Sequence, residues 1–520
     1  MMRRSSVLHS VIAFCSLMIA NPVLAQAQAK PEDRVRLSAN WNNVIRESQT
    51  SLSMEVCVES PMRRGSRLHD QLFKTIRDFE GDYVRLVPWR PYPKLAVAEL
   101  DPPHDGKTFW DFSGMDPILA DFMDATAGHP VVMNISTIPQ WMFKTDKPVV
   151  YPADPDEIFW DYEQGTELRD PTGKEVADYW ARVVSWYTKG GFTDEYGKWH
   201  ESGHHYKFAY WEVLNEVEFE HNMTPEFYTH LYDAIVTEVR RVAPEIKFVA
   251  MALGPSGPLM QPKWFEYFLD AKNHKPGIPI DAFSYHYYCQ PCPENDGGPE
   301  TMAYTMFPQA TGFVNVARYI EAIRQRLAPQ AMTMVDEIGT IYPDAQIPEK
   351  ADTIPNAYWN ASGAMFAFVY PQLAKLGLNV LHHSELIDYP GQYPGTTLVN
   401  WNTGQPNARY WVLKLLRDNF APGDKLVESG VEFEDPKIRN SPPTPQYVYG
   451  QAFIGRNQKR KILIVNKRDR PFEIIVPKGD GAQIEYVDQT TASNPPAKTM
   501  LKGDRFTLNG FGVAVVSLPN

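Results

Sequence analysis

The feature that most restricts the fold of this chain is a regular alternation of two kinds of segment between residues 52 and 418. Short runs rich in β-branched and aromatic residues alternate with longer stretches whose apolar residues recur every three or four positions. The first kind predicts buried β-strands, and the second predicts amphipathic helices that cover them. Eight such pairs follow one another, which is the number of strands and helices that closes a (β/α)8 TIM barrel.

The helix that follows the fourth strand has clear boundaries in the sequence. Thr224 and Pro225 make a typical helix start, an apolar stripe runs from Phe227 to Val242, and Pro244 ends the helix. Such a stripe predicts a helix that packs on a sheet. The eight predicted strands are Leu52 to Val58, Tyr83 to Val87, Val131 to Ser136, Phe208 to Leu214, Phe248 to Ala252, Ala282 to Tyr287, Thr333 to Glu337 and Asn379 to His383.

The chain begins with a segment that does not belong to the barrel. Residues 1 to 29 contain Arg3 and Arg4, then an apolar run from Val11 to Ala20, and they end in small residues. This order is typical of a secretory signal peptide, and the apolar run is too short to span a bilayer. We therefore expect a secreted or periplasmic protein without a membrane span.

The C-terminal region has a different character. From residue 419 to residue 520, short strand-like runs such as Lys461 to Asn466 and Phe472 to Val476 are separated by turn residues, which predicts an antiparallel β-sandwich. Residues 30 to 51 alternate polar and apolar side chains, and we expect them to add one strand to that sandwich. The predicted barrel therefore occupies residues 52 to 418.

Charge and cysteine content exclude several partners. The formal net charge is −12 at pH 7, and loss of Arg3 and Arg4 with the leader makes it more negative. Nucleic acid is excluded as a partner, because phosphate binding needs a basic face. Cys57 is expected to be a buried strand thiol, while Cys289 and Cys292 close a small loop as a disulfide or remain inert thiols. The spacing favours neither a metal site nor a cofactor, and oligomeric state stays open.

Two glutamates stand where a barrel carries its chemistry. Glu216 follows the fourth predicted strand and Glu337 ends the seventh, and working residues of such barrels project from the C-terminal ends of the strands. Two facing carboxyl groups suit the cleavage of a glycosidic bond. One protonates the leaving oxygen, and the other attacks the sugar carbon.

The residues around these glutamates resemble those of clan A glycoside hydrolases, and most nearly family 39, which includes β-xylosidases and α-L-iduronidases. The resemblance rests on the segments Trp211 to Glu216, Ser284 to Tyr288 and Asp336-Glu337, and on Phe109 to Asp116 earlier in the chain. It implies a retaining glycoside hydrolase that acts on a glycan or oligosaccharide. The chain departs from the pattern after strand eight, where Leu381 to Glu385 lacks the tryptophan that many members have.

The resemblance also implies a role for each matching residue. Glu216 is expected to be the acid/base, Glu337 the nucleophile, and Asn215 the residue that binds the hydroxyl group next to the anomeric carbon. His286 and Tyr288 resemble the pair that the family places beside the nucleophile and the sugar.

Three further residues are candidates for substrate binding. Arg85 ends the second strand and is expected either to donate to the nucleophile or to form a simple salt bridge. Trp141 follows the third strand and either stacks on a sugar face or belongs to the core. His383 ends the eighth strand, where a sugar contact is expected and a metal contact is disfavoured.

Strand alternation makes three more predictions, because residues two apart share a face. Asp336 should face the helices, since Glu337 faces the barrel interior. Glu212 should lie deep inside the barrel, where it needs an Arg or Tyr partner. Asn215 and Glu216 reach one sugar only if the strand end is bulged or twisted.

Two other readings of the sequence remain open. A barrel of this kind also serves as a secreted carbohydrate-binding protein that catalyses no reaction. Alternatively, the chemistry is retained and the chain belongs to a related arabinofuranosidase or glucuronidase family of the same clan.

Overall fold

The structure is a computed structural model, and the predicted leader, Ser136 and Cys292 lie outside the residues that it describes. None of the helices in the described part of the chain is both long enough and apolar enough to cross a membrane. The described residues are 30–135, 137–145, 150–159, 165–254, 262–291, 298–343, 345, 347–435, 437 and 447–519.

Eight parallel strands close into a barrel, which confirms the predicted fold class. Each strand pairs with the next along the chain, and the last pairs with the first. A small hairpin, β5 (Gly191–Thr193) and β6 (Trp199–Glu201), precedes the fourth barrel strand. The barrel strands are β2 (Ser51–Val58), β3 (Val84–Pro88), β4 (Val131–Asn134), β7 (Tyr210–Val213), β8 (Lys247–Leu253), β9 (Ala282–Cys289), β10 (Met332–Thr340) and β11 (Val380–His383).

Helices cover the outside of the barrel and bury their apolar faces against it. In the helix Pro225–Val242, the Thr224 side chain accepts a hydrogen bond from the backbone N–H of Phe227, which caps the first turn. The helices are α1 (His69–Phe79), α2 (Pro93–Ala96), α3 (Met115–Ala125), α4 (Lys174–Thr188), α5 (Val217–Glu220), α6 (Pro225–Val242), α7 (Lys263–Phe268), α8 (Glu300–Leu327), α9 (Pro348–Ala351), α10 (Asn356–Leu376) and α11 (Ala408–Asn419).

A second β-domain with its own apolar core follows the barrel. Its nine strands have the order β17-β16-β19-β14-β13-β12-β1-β15-β18. The N-terminal strand β1 lies inside this sheet, antiparallel to β12 and parallel to β15, and the other pairs are antiparallel. The strands are β1 (Arg34–Glu47), β12 (Lys425–Phe433), β13 (Val448–Ile454), β14 (Arg460–Asn466), β15 (Phe472–Ile475), β16 (Gln483–Val487), β17 (Ala497–Met500), β18 (Arg505–Leu508) and β19 (Val513–Ser517).

Candidate active site

A pocket of about 350 Å³ opens at the C-terminal ends of the barrel strands. Its size suits a sugar ring, since ligand pockets usually begin at about 300 Å³. The aromatic rings of Trp89 and Tyr393 lie 6.0 Å apart on one side of it. The residues that line the pocket are Glu55, Cys57, Val87, Trp89, Arg90, Asn215, Glu216, Phe219, Glu220, Tyr288, Glu337, Ile341, Glu385, Tyr393 and Thr396.

Glu216 and Glu337 face each other in this pocket, with one histidine nitrogen between them. The Nδ1 atom of His286 lies 2.9 Å from Glu216 Oε1 and 3.2 Å from Glu337 Oε2. One oxygen of each carboxylate and a ring nitrogen of His286 all lie within 4.8 Å of one another. Two residues distant in sequence are therefore brought close enough to act on one bond.

The backbone at the end of β7 lets neighbouring side chains reach the same pocket. Leu214 and Glu216 have φ angles of 67° and 39°, in the left-handed region, and α5 begins directly after Glu216. This turn interrupts the strand alternation that would have placed Asn215 and Glu216 on opposite faces. Both residues consequently line the pocket.

A β-bulge on β10 corrects the predicted orientation of Asp336. Val335 pairs with Tyr285 and Glu337 with His286, so Asp336 has no partner of its own on β9. The extra residue breaks the alternation, and the Asp336 side chain turns into the barrel instead of toward the helices. There its carboxylate lies 3.3 Å from Arg85 Nη2 and 3.6 Å from His286 Nε2.

Arg85 is fully buried beneath the pocket and holds the polar groups in place. It donates to Glu337 Oε1 at 2.8 Å, to Asn215 Oδ1 at 2.7 Å, to Glu55 Oε1 at 3.0 Å and to Glu212 Oε2 at 2.6 Å. Burial lowers the pKa of this guanidinium, but the surrounding carboxylates raise it well above its usual value. Both expected roles of Arg85, donor to Glu337 and partner in a salt bridge, are present at once.

Glu212 occupies the deep position predicted for it. Besides Arg85, the amide of Asn134 and the hydroxyl group of Ser284 donate to its carboxylate, at 2.8 Å and 2.7 Å. Burial and the charge of Asp336 together raise the pKa of Glu212 to about 7, against the opposing effect of Arg85. This buried network fixes Arg85 from below.

Tyr288 and His286 supply the donors around the two catalytic candidates. The Tyr288 hydroxyl group donates to Glu337 Oε2 at 2.8 Å, which leaves Glu337 with donors on both oxygens. Burial lowers the pKa of His286, but the charges of Glu337 and Asp336 raise it well above its usual value. The imidazolium form is therefore favoured, and it carries a positive charge between Glu216 and Glu337.

Trp141 does not line this pocket, which corrects its predicted contact with the sugar. Its indole N–H donates to the backbone carbonyl of Glu99 at 2.9 Å, and the guanidinium of Arg169 lies over its ring at 4.5 Å. Arg169 therefore covers one face of the ring. Trp141 borders a separate surface cavity with Arg169.

His383 is also placed away from the pocket. It is completely buried, its Nδ1 lies 2.8 Å from the carbonyl oxygen of Ile338, and its ring stacks on Phe366 of α10 at 4.4 Å. Alternation along β11 turns this side chain outward, between the barrel and its covering helix. The predicted sugar contact of His383 is wrong.

Sequence reasoning missed several acids that line the pocket, notably Glu55, Glu220 and Glu385. Glu55 and Cys57 share a face of β2, so alternation from a strand end could have found them. Glu385 follows β11 at the place where the expected tryptophan was missing. Glu220 ends the short helix α5 after Glu216 and carries no motif of its own.

Two clusters in the described part of the chain have a spacing that could hold a metal ion. One is formed by Glu216, His286 and Glu337, and the other by Cys57, Glu59 and Glu385. The donors of the first are already engaged with each other. Cys57 and Cys289 are both buried free thiols.

Comparison with known proteins shows that the fold is similar to that of several solved glycoside hydrolases. No protein-family model and no curated protein matches the chain. The GH51 arabinofuranosidase from Xanthomonas axonopodis pv. citri superposes with a TM-score of 0.59 at 12% identity, covering 94% of this chain and 100% of that one. A GH30 endoxylanase from Clostridium papyrosolvens gives 0.53 at 13% identity, covering 94% and 100%. A glucosidase from Croceicoccus marinus gives 0.56 at 14% identity, covering 94% and 99%.

Proposed function

We propose that this protein is a retaining glycoside hydrolase that cleaves an O-glycosidic bond by double displacement. The observation that carries the proposal is the approach of Glu216 and Glu337, whose nearest catalytic oxygens lie within 4.8 Å in a pocket of sugar size. Carboxyl groups about 5 Å apart are typical of retaining enzymes, whereas inverting enzymes keep roughly 6.5–9.5 Å for a water molecule. The spacing therefore supports the covalent route.

In the first step, Glu216 gives its proton to the leaving oxygen while a carboxylate oxygen of Glu337 attacks the anomeric carbon. The bond from that carbon to the leaving oxygen breaks, and an ester between sugar and Glu337 forms. In the second step, Glu216 takes a proton from water, the water oxygen attacks the anomeric carbon, and the ester bond breaks. Glu337 returns as a carboxylate and Glu216 as an acid.

The surrounding donors support these roles. Arg85 and Tyr288 each donate to one oxygen of Glu337, which stabilises the carboxylate that must attack. When the ester forms, Glu337 loses its negative charge, and the loss favours the ionised form of Glu216 as base for the water step. Asn215 is held by Arg85 and is proposed to bind the sugar hydroxyl group next to the anomeric carbon.

The family assignment is also a proposal. The motifs around Glu216, His286 and Glu337 favour family 39, while an arabinofuranosidase of family 51 is among the structural neighbours. The signal-like leader supports a secreted or periplasmic location, which fractionation of expressing cells would test.

Two variants test the catalytic roles. Hydrolysis of a panel of aryl glycosides first identifies a substrate. Glu337→Ala is then expected to lose nearly all turnover, whereas Glu216→Ala keeps cleavage of substrates with good leaving groups and is rescued by azide. Equal residual activity in both variants would contradict the assigned roles. If binding persists but neither wild type nor variants hydrolyse any glycan or aryl glycoside, the alternative of a non-catalytic carbohydrate-binding barrel is favoured.

A further inference from the structure

One side of the pocket is unusually rich in acidic groups. Glu55 and Cys57 of β2 and Glu385 after β11 line it, and Glu59 and Asp388 lie directly behind. These five residues are named the acidic wall. All five are less than a tenth exposed. They adjoin the nucleophile, since Glu55 and Glu337 both accept from Nη1 of Arg85.

The members of the acidic wall lie close together. Cys57 Sγ and one oxygen each of Glu59 and Glu385 are within 4.8 Å of one another. Thr396 donates to Glu385 at 2.7 Å and lies 3.2 Å from Asp388, so these two carboxyl groups share one hydroxyl group. Burial and mutual repulsion raise the pKa of Glu385 well above its usual value, and burial and the charge of Glu59 raise that of Asp388 to about 8.

Two oxygens of the wall have no hydrogen-bond partner among the described residues. They are Oε2 of Glu55 and Oε2 of Glu59, on side chains that are 3% and 1% exposed. A buried carboxyl oxygen without a partner costs free energy, and the cost is removed when a ligand supplies a donor. Glu55 lines the pocket and Glu59 does not, so the free oxygen of Glu55 is the one that a hydrogen-bond donor of a ligand can reach.

The acidic wall has few cationic partners among the described residues. In the described chain, Arg85 is the cation that forms an ion pair with a wall residue, Glu55, and it is shared with Glu212, Asp336 and Glu337. The nearby guanidinium of Arg409 instead donates to the backbone carbonyls of residues 384, 395 and 397. Arg90 lines the same pocket, and burial raises the pKa of Glu55 and of Glu59 well above their usual values. The wall acids therefore keep their protons in the empty pocket, and a bound cation would allow them to ionise.

We propose that the acidic wall binds an ammonium group of the substrate, so that the sugar held between Glu216 and Glu337 is an amino sugar with a free amine. An ammonium group offers three donors, one positive charge and no acceptor, which matches carboxyl groups that have few cationic partners and can ionise when a cation binds. The proposal rests on the proposed glycosidase function and names its substrate class.

Sugar binding can be measured without catalysis, so it tests the ammonium site separately from the proposed hydrolase function. Isothermal titration calorimetry on the chelator-dialysed full-length mature protein would compare free monosaccharides with an amine at C2, C3, C4 or C6 with their neutral parents and N-acetyl derivatives. At least one free amine should bind about tenfold or more tightly than its parent, since charge-assisted hydrogen bonds are the strong ones.

Substitutions in the pocket test whether the acidic wall causes the tighter binding of the amine. Glu385→Gln and Glu55→Gln keep the shape of the side chain and remove its charge, so each should reduce the preference for the amine to below about threefold. Glu220→Gln removes an acid on the opposite side of the same pocket and should retain the preference. Circular dichroism and thermal melting would verify that each variant is folded, and the second wall variant serves if the first is not.

The outcomes are distinct. Three results would overturn the ammonium site. The neutral parents could all bind as tightly as the amines or more tightly, the preference for the amine could survive in both wall variants, or it could disappear equally in Glu220→Gln. Stoichiometric binding of Zn²⁺ or Ca²⁺ that requires Glu385 and blocks sugar binding would overturn it as well. If neutral aryl glycosides are hydrolysed without any amine preference, this inference fails and the proposed function stands. If amines bind through the acidic wall but no glycoside is cleaved, the ammonium site stands and the proposed hydrolase function fails.

Discussion

Arg85 offers the sharpest test of how the site is held together. It is fully buried and contacts four carboxylates, those of Glu212, Glu337, Glu55 and Asp336, at 2.6 to 3.3 Å. Removal of one partner from a buried ion pair costs about 3–5 kcal/mol, because the remaining charge is left without compensation. We expect Arg85→Met to lower the free energy of unfolding by at least that amount, out of about 5–15 kcal/mol for an ordinary domain.

The loss should depend on pH. Without Arg85, the buried carboxyl groups take up protons in the folded state that they do not hold when unfolded. Stability then falls as pH rises, by up to about 1.4 kcal/mol per proton for each pH unit. Urea denaturation followed by tryptophan fluorescence at pH 5 and pH 8 would measure the loss in the free energy of unfolding and its dependence on pH. The destabilisation should be larger at pH 8.

Two controls accompany this measurement. Arg182→Met removes a partly exposed ion pair with Glu195 and should cost about 0–1 kcal/mol. The double variant Arg85→Met/Glu212→Gln removes one of the orphaned charges and should recover part of the loss. A loss below about 1 kcal/mol in Arg85→Met, or the same loss at both pH values, would refute the role given to this network.

Three other predictions follow from the site. Tyr288→Phe removes a hydrogen bond to the charged Glu337 and should lower kcat/KM about 10- to 100-fold in steady-state assays, with the melting temperature little changed. An unchanged kcat/KM would contradict a role of this hydrogen bond in catalysis. Burial raises the pKa of Glu220 and of Asp388 to about 8, so their stabilisation is complete below the unfolded values of about 4.3 for Glu and 3.9 for Asp, and it is lost as pH rises through 8. Urea denaturation should show this decline in stability, and Glu220→Gln should reduce it, whereas stability that rises over this range would contradict the prediction. Trp141→Phe should leave kcat/KM within about twofold of wild type, because Trp141 lies outside the pocket; a tenfold loss would restore the predicted sugar contact.

The barrel could be predicted from the sequence because its signal is repeated eight times. Each predicted strand overlaps a strand of the closed barrel, with boundaries a few residues off at most ends. The strand β1 could be placed in the second domain, but its parallel pairing with β15 could not, because the alternation within one strand does not specify which strand lies beside it.

Local distortions explain the errors in the site. Alternation predicted the wrong face for Asp336, since a bulge on β10 adds one residue that leaves no clear mark in the sequence. His383 ends a strand as a catalytic residue would, yet it packs against Phe366. The acidic wall escaped notice because Glu385 carries no motif and Glu55 lies within a strand that reads as apolar.

The central claim is that a sugar becomes covalently attached to Glu337. Once a hydrolysed aryl glycoside is known, its 2-deoxy-2-fluoro analogue would trap the intermediate, and mass spectrometry of the digested protein would locate the added sugar. We expect a single label on Glu337 that is absent from Glu337→Gln. A label on Glu216 or any other residue, or hydrolysis with inversion and no label, would contradict it.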